Sequence, residues 1–529
     1  MEDERVPVPH VYPEGCAFGT IDDIRGKRVV VMGLGLNGGG EASVRFLLKC
    51  GASVLATDMK SREELQSTID SLEGDPSLDT SRLSYRLGEH RIEDFESADC
   101  VIKNPGVKYD GNRFLQASRA IETDISLFLR FSNAPIIAVT GSKGKSSTAS
   151  AIHFGLREAG FSAYLGGNIT VSPLTFLEQT NESTPVVLEL SSWQLADLRG
   201  RKALRPRVAV ITKIVPDHQN FYHSMLAYVN DKKLVYECQK KSDWTVLDYD
   251  DDAAADGGTL VENWGDVFAR ETRARVVRYS RRPLPAGVDG VWFDRRRQYA
   301  GMCRFGGKEE EILGGLLVPG HHMRMNVLNA ALVLRIFGVD AKRAGEILGQ
   351  WSGIEHRLEF FHEWELPGGK KVRFYNDSAA TVPEAAALAS QSFGFPVTLV
   401  AGGTDKGLDL SPLPDALAKE AAHRPSGIYL LDGSATDKLL PLFDARKIRT
   451  NGVFKSLDEL LETLRGDFLS GRIPLSDAPG VVVFSPGATS FGMFRNEFDR
   501  GSRFKESVRR IFPAECGARL RSARRARFL

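Results

Sequence analysis

Short β-branched runs, such as Arg28-Val29-Val30-Val31 and Ser53-Val54-Leu55-Ala56, alternate along the chain with longer stretches of helical periodicity. Strands that are apolar at successive positions are buried on both faces, so the alternation predicts parallel sheet with helices between the strands. A first such unit ends near Asp124. A second opens at Ala134-Pro135-Ile136-Ile137-Ala138-Val139, passes through Val186-Val187-Leu188-Glu189-Leu190 and Val208-Ala209-Val210-Ile211, and ends near Gly353. Within it, Asp248 to Gly315 is irregular and rich in Asp, Gly and Arg, with short aromatic stretches that predict an antiparallel excursion from the main sheet. A third alternation follows in Val397-Thr398-Leu399-Val400, Gly427-Ile428-Tyr429-Leu430-Leu431 and Val481-Val482-Val483-Phe484. Its strands end in Gly, Asp or Ser, where α/β folds place ligands. The expected architecture is α/β, with three consecutive domains at 1–124, 125–353 and 354–529 and neither a fixed-period repeat nor a low-complexity linker.

Length supports that division, because 529 residues exceed what one hydrophobic core serves. Hydrophobic residues at 42% and charged residues at 26% are ordinary for a globular protein. Lys and Arg total 69 against 68 Asp and Glu, so no global field recruits nucleic acid or an anionic membrane, and anions must be bound locally. The cysteines at 16, 50, 100, 238, 303 and 516 form no C-x-x-C pair and read as reduced thiols. The acidic start and the lack of a membrane-length apolar run predict a cytoplasmic protein with no transmembrane segment. Five arginines between Arg519 and Arg527 read as a solvated terminus.

Three features carry chemistry. Gly33-Leu34-Gly35-Leu36-Asn37-Gly38 follows a strand, and Asp58 closes the next strand at the spacing of a dinucleotide fingerprint. Such glycines let backbone amides approach a pyrophosphate, which serves NAD, FAD or a UDP-sugar equally, and a purely structural glycine turn also fits. Thr140-Gly141-Ser142-Lys143-Gly144-Lys145-Ser146-Ser147 lies between an apolar strand and the helix expected over Thr148 to Glu158. Its context fits a compact phosphate loop, with Val139 where the longer motif has its first glycine, and a plain lysine-rich turn is the other reading. Lys145 would meet the β- and γ-phosphates and Ser146 a Mg²⁺, while the loop amides cradle the anion. Glu189 interrupts an apolar strand, where burying it unpaired would be costly, so a strand-end metal ligand is the expectation, with an edge-exposed acid as the other reading. The following strand ends in Asp217-His218, where the histidine taken alone reads as structural.

Together these pieces resemble the Mur ligases. The Gly-rich turn, T-G-S-K-G-K-S-S, G-G-N-I at 166–169, L-E-L-S-S-W-Q-L at 188–195 and P-D-H at 216–218 stand in that family's order. H-R at 356–357, N-D-S at 376–378, G-G-T-D-K-G at 402–407 and S-P-G-A-T-S at 485–490 continue the match through the third unit. V-I-K-N-P-G-V at 101–107 and G-G-T-D-K-G-L-D are similar to the D-glutamate-adding branch, and the D-N-P-R signature of the diaminopimelate- or lysine-adding branch is absent.

The resemblance implies a Rossmann-like UDP-binding domain, a central ATPase-type domain and a C-terminal Rossmann-like domain. It implies that Leu36, Asn37, Asp58 and Asn104 hold the uridine diphosphate, with Asn168 and Gln194 nearer the sugar and the peptide carboxylate. Gly141, Ser142, Lys143, Gly144, Lys145, Ser146 and Ser147 would bind ATP, with Asn326, Arg357 and Asp377 also contacting the nucleotide. Two Mg²⁺ ions would be held by Ser146, Glu189, His218 and Lys232, the last as a carbamate. Thr381, Lys406 and Ser490 would take the amino acid's carboxylates. The implied reaction joins D-glutamate to UDP-N-acetylmuramoyl-L-alanine through an acyl phosphate, in peptidoglycan precursor synthesis, by a monomeric enzyme whose third domain closes on ligands held by the first two.

Six positions depart from the family pattern: Lys143, Met323 and Ala379 stand for Asn, Asn and Lys, and Val382, Gly492 and Glu497 for Asn, Asp and an aromatic. Those in the third unit surround the expected amino-acid site. Lys406 argues against a cationic amino acid, since buried like charges repel. Other readings are a Mur-type ligase using another amino acid, an NAD-dependent dehydrogenase built on Gly33 to Gly38, and a nucleotide-binding switch or assembly module that ligates nothing.

Overall fold

In the computed structural model each apolar run becomes a strand beside the neighbours its burial requires. The residues described are 17–36, 38–169, 171–218, 222, 224–250, 263–297, 300–419 and 424–513. The N-terminal segment, the Arg-rich tail, Asn37, Cys16 and Cys516 lie outside them. Cys50, Cys100, Cys238 and Cys303 are free thiols.

The first sheet contains β1 (Arg28–Met32), β2 (Ser53–Asp58), β3 (Leu83–Leu87), β4 (Cys100–Lys103) and β5 (Ile121–Glu122), all parallel, in the order β3-β2-β1-β4-β5. The order reverses at β1, so β1 and β4 flank the crevice where α/β sheets bind ligands. The second sheet contains β6 (Ile136–Thr140), β7 (Tyr164–Gly167), β8 (Val186–Glu189), β9 (Val208–Ile211), β10 (Trp244–Asp248), β11 (Arg275–Ser280), β12 (Gly290–Asp294), β13 (Ala300–Phe305) and β14 (Lys308–Leu313). Its order is β14-β13-β12-β11-β10-β9-β6-β8-β7. The antiparallel excursion expected from Asp248 onward is narrower than that: β10, β11 and β12 still pair in parallel, and only β12-β13-β14 alternate in direction. The two-residue Gly306-Gly307 turn, with both residues at positive φ, allows the tight reversal from β13 to β14.

By their contacts the residues fall into two compact units, one reaching Gly315 and including Met325–Gly349, the other made of Leu316–Arg324 and the chain from Gln350. The first unit holds both sheets just described. A single apolar cluster runs through it from Val29 and Leu47 to Phe128, Phe176, Leu188 and Phe268. Polar ties join its two sheets as well. Lys103 at the end of β4 pairs with Asp197 at 2.8 Å. Glu122, fully buried at the end of β5, meets Arg130 at 2.9 Å and Arg201 at 2.8 Å.

The second unit contains β15 (Glu359–Glu365), β16 (Lys371–Asn376), β17 (Thr398–Gly402), β18 (Gly427–Leu431), β19 (Gly452–Phe454) and β20 (Gly480–Phe484), in the order β15-β16-β20-β17-β18-β19. Only β15 runs antiparallel to its neighbour. Phe374, Phe484 and Phe504 pack on one face and Leu399, Ala401 and Leu430 on the other. Among the described residues no helix is long and apolar enough to cross a membrane.

Candidate functional site

β6 lies between β8 and β9, is buried at every residue, and runs directly into the loop Gly141–Gly144 and the helix Lys145–Glu158. The helix therefore starts three residues before the expected Thr148, placing Lys145, Ser146 and Ser147 in its first turn, where amides have no intrahelical partner and the dipole favours an anion. Two glycines make the loop possible. Gly141 has φ +141°, and a Cβ there would stand 2.0 Å from Thr212 Oγ1; Gly144 has φ +92°, and a Cβ there would stand 2.5 Å from Asn326 Oδ1. The second contact also places Asn326 beside the loop.

Other loop groups have structural work. The Ser142 amide donates to the Lys213 carbonyl at 2.9 Å and the Lys143 amide to the same oxygen at 3.3 Å, so these two amides tie the loop to the chain after β9. The Ser142 hydroxyl donates to Val215 O at 2.8 Å and accepts from Tyr228 Oη at 3.1 Å. Lys143 pairs with Asp217 at 3.2 Å from a mostly exposed position.

Lys145 folds over the loop, its Nζ donating to Gly141 O and Ser142 O at 3.0 Å each. Burial lowers its pKa, partly offset by the Glu189 carboxylate. Lys232, 1% exposed, donates to the same Gly141 carbonyl at 2.8 Å, and its Nζ lies 4.5 Å from the Tyr228 ring centre. Burial, reinforced by the charge of Lys145, pushes the Lys232 ammonium down from 10.5 to about 7. An amine neutral near pH 7 is a nucleophile, which is what carbamate formation with CO₂ requires.

That shift has a consequence for stability. Between about pH 7 and pH 10.5 the unfolded chain holds a proton on Lys232 that the folded chain lacks, so this group makes stability rise with pH across that window. Lys232→Met is expected to flatten the rise and to unfold at higher temperature than wild type at pH 7.5, measured by thermal melts from pH 6.5 to 9.5. An unchanged slope would contradict the depressed pKa.

Glu189 ends β8 opposite Val139 of β6 and Gly167 of β7. It is 1% exposed. Its Oε1 accepts from Asn168 Nδ2 at 3.0 Å, while Oε2 is buried with no hydrogen-bond partner among the described residues. A buried carboxylate oxygen without a protein partner is costly unless a cation meets it, and hard oxygen donors suit Mg²⁺. Among the described residues no three His, Cys, Asp or Glu side chains form a metal cage. A Mg²⁺ held by one or two protein groups and substrate phosphates needs none, so the donor set fits that ion. His218 stands at φ +53° with its ring 5.3 Å from the Trp193 ring, next to Asp217, whose Oδ1 accepts from the His218 amide at 3.1 Å.

In the first sheet Gly33 and Asn104 face each other across the β1–β4 crevice. Asn104 Nδ2 donates to Gly33 O at 3.2 Å, and a Cβ on Gly33 would stand 2.9 Å from Asn104 Cβ. Asp58 Oδ2 accepts from the Gly35 amide at 2.9 Å and Oδ1 from the Lys60 amide at 3.0 Å, so this carboxylate shapes the turn. Leu36 is exposed. Gln194 is buried, and its carbonyl oxygen completes a capping box with Ser191 at the start of the helix Ser192–Ala196. Asn168, expected near the sugar and the peptide carboxylate, donates its side-chain amide to Glu189.

In the second unit Asp377 follows β16, accepting from Ser485 Oγ at 2.6 Å and the Leu358 amide at 3.1 Å; burial raises its pKa to about 6. Arg357, exposed, lies between His356 and Leu358, both at positive φ. Lys406 Nζ donates to Thr381 Oγ1 at 3.4 Å, bringing together two of the three residues expected to hold carboxylates. The third, Ser490, is buried in the turn after Thr489, which bridges to Thr404. Arg500, which the sequence left unmarked, is buried there and donates to Ala488 O at 3.0 Å and Ser378 O at 2.8 Å, supporting this turn. Tyr228 and Lys103 also escaped notice, as their partners are distant in sequence.

The Mur ligase middle domain family matches residues 139–334. The chain is 41% identical to the UDP-N-acetylmuramoylalanine--D-glutamate ligase of Treponema pallidum, covering 92% of this chain and 98% of that protein. It is 35% identical to the enzyme of the same name from Borreliella burgdorferi (strain ZS7), covering 93% and 99%. Among solved structures, UDP-N-acetylmuramate-alanine ligase MurC from Thermotoga maritima shares the fold, with a TM-score of 0.52 at 18% identity over 92% of this chain and 99% of that one.

Proposed function

The chain belongs to the Mur ligase family, and from that premise we propose that it uses ATP to join D-glutamate to UDP-N-acetylmuramoyl-L-alanine in peptidoglycan precursor synthesis. The observation that carries the reading is the meeting of Lys145 and Lys232 on the Gly141 carbonyl, one strand from the buried Glu189. A redox enzyme has no use for that cluster.

In this reading the first sheet's crevice takes the UDP end of the substrate, with Asn104 and the Gly33–Gly38 turn around it. ATP lies on the phosphate loop, with its phosphates over the first turn of the helix from Lys145. Ser146, Glu189, His218 and Lys232, the last as a carbamate, would hold two Mg²⁺ ions, which would supply positive charge against the crowded oxygens. Lys145 leaves the loop carbonyls to neutralise the γ-phosphoryl group as the substrate carboxylate attacks it and ADP departs. Asn326, Arg357 and Asp377 bind the nucleotide. Thr381, Lys406 and Ser490 hold the D-glutamate carboxylates so that its amine attacks the acyl phosphate and phosphate leaves. Lys406 favours an acidic partner over a cationic one. The protein acts in the cytoplasm as a monomer.

ADP release with UDP-N-acetylmuramoyl-L-alanine, Mg-ATP and each candidate amino acid in turn tests this. Turnover with D-glutamate is expected, and none with L-lysine or diaminopimelate. ADP release indifferent to the amino acid would favour a nucleotide switch instead.

A further inference from the structure

Two ionic ties from the first sheet reach the segment that follows β8. Lys103 closes β4, directly before Asn104 of the ligand crevice, and is 2% exposed. Its Nζ meets Asp197 Oδ2 at 2.8 Å and donates to Val107 O at 2.8 Å, so the same ammonium grips the Asn104–Val107 loop from below. Asp197 caps the C-terminal end of the helix Ser192–Ala196, the helix that bears Gln194 and starts three residues after Glu189. Its backbone carbonyl accepts from Arg201 Nε at 3.0 Å, and the other arms of that guanidinium reach Glu122 and the Ile121 carbonyl at the end of β5. One ionic network thus runs from the ends of β4 and β5 to the segment leaving β8.

A substrate with its nucleotide in the first crevice and its reacting carboxylate at the phosphate loop must span both sheets. Its reach is fixed by its own bonds, so the separation of the two sites has to match that reach. We infer, on the strength of the function proposed above, that Lys103 is a positioning residue: through Asp197 it sets the spacing between the uridine-diphosphate crevice and the reacting centre. Arg201 and Glu122 hold the same spacing at the neighbouring strand. Breaking the Lys103–Asp197 pair shifts one end of a bound substrate against the other, and misplacement on the scale of an ångström costs up to about 10²-fold in rate.

A substrate with only one end gives the shift nothing to act on. The test compares wild type, Lys103→Met and Asp197→Asn on UDP-N-acetylmuramoyl-L-alanine and on N-acetylmuramoyl-L-alanine 1-phosphate, which lacks the uridine monophosphate. With the full substrate both variants should lose about tenfold or more in kcat/KM, with the KM for ATP unchanged and Lys103→Arg restoring most of the loss. With the truncated substrate all should match wild type within about threefold. Equal loss on both substrates would mean general damage and overturn the inference, as would no loss on the full one. Should Lys103→Met fail to fold, Asp197→Asn keeps the side-chain shape and reads the same ratio. A wild-type enzyme inactive on both substrates would instead sink the ligase reading itself.

Discussion

Lys145→Ala is expected to lower ATP-dependent turnover by about 10³-fold while leaving the fold intact. Lys145 is the only one of the loop's two lysines whose Nζ turns inward onto the loop, bonding Gly141 O and Ser142 O, whereas Lys143 points outward to Asp217. Once phosphates lie on the helix N-terminus, those neutral carbonyls are weaker partners than the γ-phosphoryl oxygens, so the ammonium can transfer with little movement of its backbone. It acts where charge develops, in a site that burial has stripped of water, so its removal acts on kcat more than on nucleotide affinity. Its pKa is lowered by burial, which means that the folded protein carries a cost for holding it charged. Alanine removes that cost, and the melting temperature should hold or rise. Lys143→Ala, by contrast, should cost less than about tenfold, since an exposed pair is worth ~1 kcal/mol or less. Comparable losses at the two lysines in steady-state assays would remove Lys145 from its assigned role.

Glu189→Gln is expected to lower kcat by about 10²- to 10³-fold and to raise the Mg²⁺ concentration needed for half-maximal rate. Glutamine keeps the volume, and its carbonyl can still accept from Asn168 Nδ2. What it loses is the charge on the buried oxygen that has no hydrogen-bond partner among the described residues. Stability and activity should therefore separate: the variant melts no lower than wild type, because a buried carboxylate oxygen with no hydrogen-bond partner among the described residues has gone, yet it turns over poorly. A Mg²⁺ titration of the rate beside a thermal melt reads both. Unchanged Mg²⁺ dependence would show that Glu189 is a structural acid.

The phosphate loop was legible because its signal is contiguous: strand, two glycines, lysine and helix follow one another within one stretch of chain. Glu189 was legible for a different reason, as a carboxylate where burial admits none without a partner. The alternation of apolar runs likewise showed three sheets in series, and the family resemblance ran the length of the chain. Contacts between distant segments were not legible. The contact of Asn168 with Glu189 is one of these: β7 pairs with β8 in a register that lays Gly167 against Glu189, and the neighbouring amide then meets that carboxylate. Ser142 reads as a phosphate-loop residue, yet its hydroxyl is held by Val215 and Tyr228, segments that reach it only because β9 lies beside β6. Lys103 and Asp197 each look like an ordinary charge in a polar stretch. Their pairing appears only when β4 and the helix after β8 are in place. The parallel course of β10 to β12 was hidden for a similar reason, since Gly- and Asp-rich connections look alike whether the next strand returns parallel or antiparallel.

Activation of the substrate carboxylate by phosphoryl transfer, followed by its capture by D-glutamate, is read out with UDP-N-acetylmuramoyl-L-alanine carrying ¹⁸O in its carboxylate, incubated with Mg-ATP and D-glutamate and followed by mass spectrometry. An acyl phosphate requires one labelled oxygen to leave with inorganic phosphate for each amide formed, and that is the expected result. Amide formed with all the label retained, or unlabelled phosphate released without amide, would contradict it.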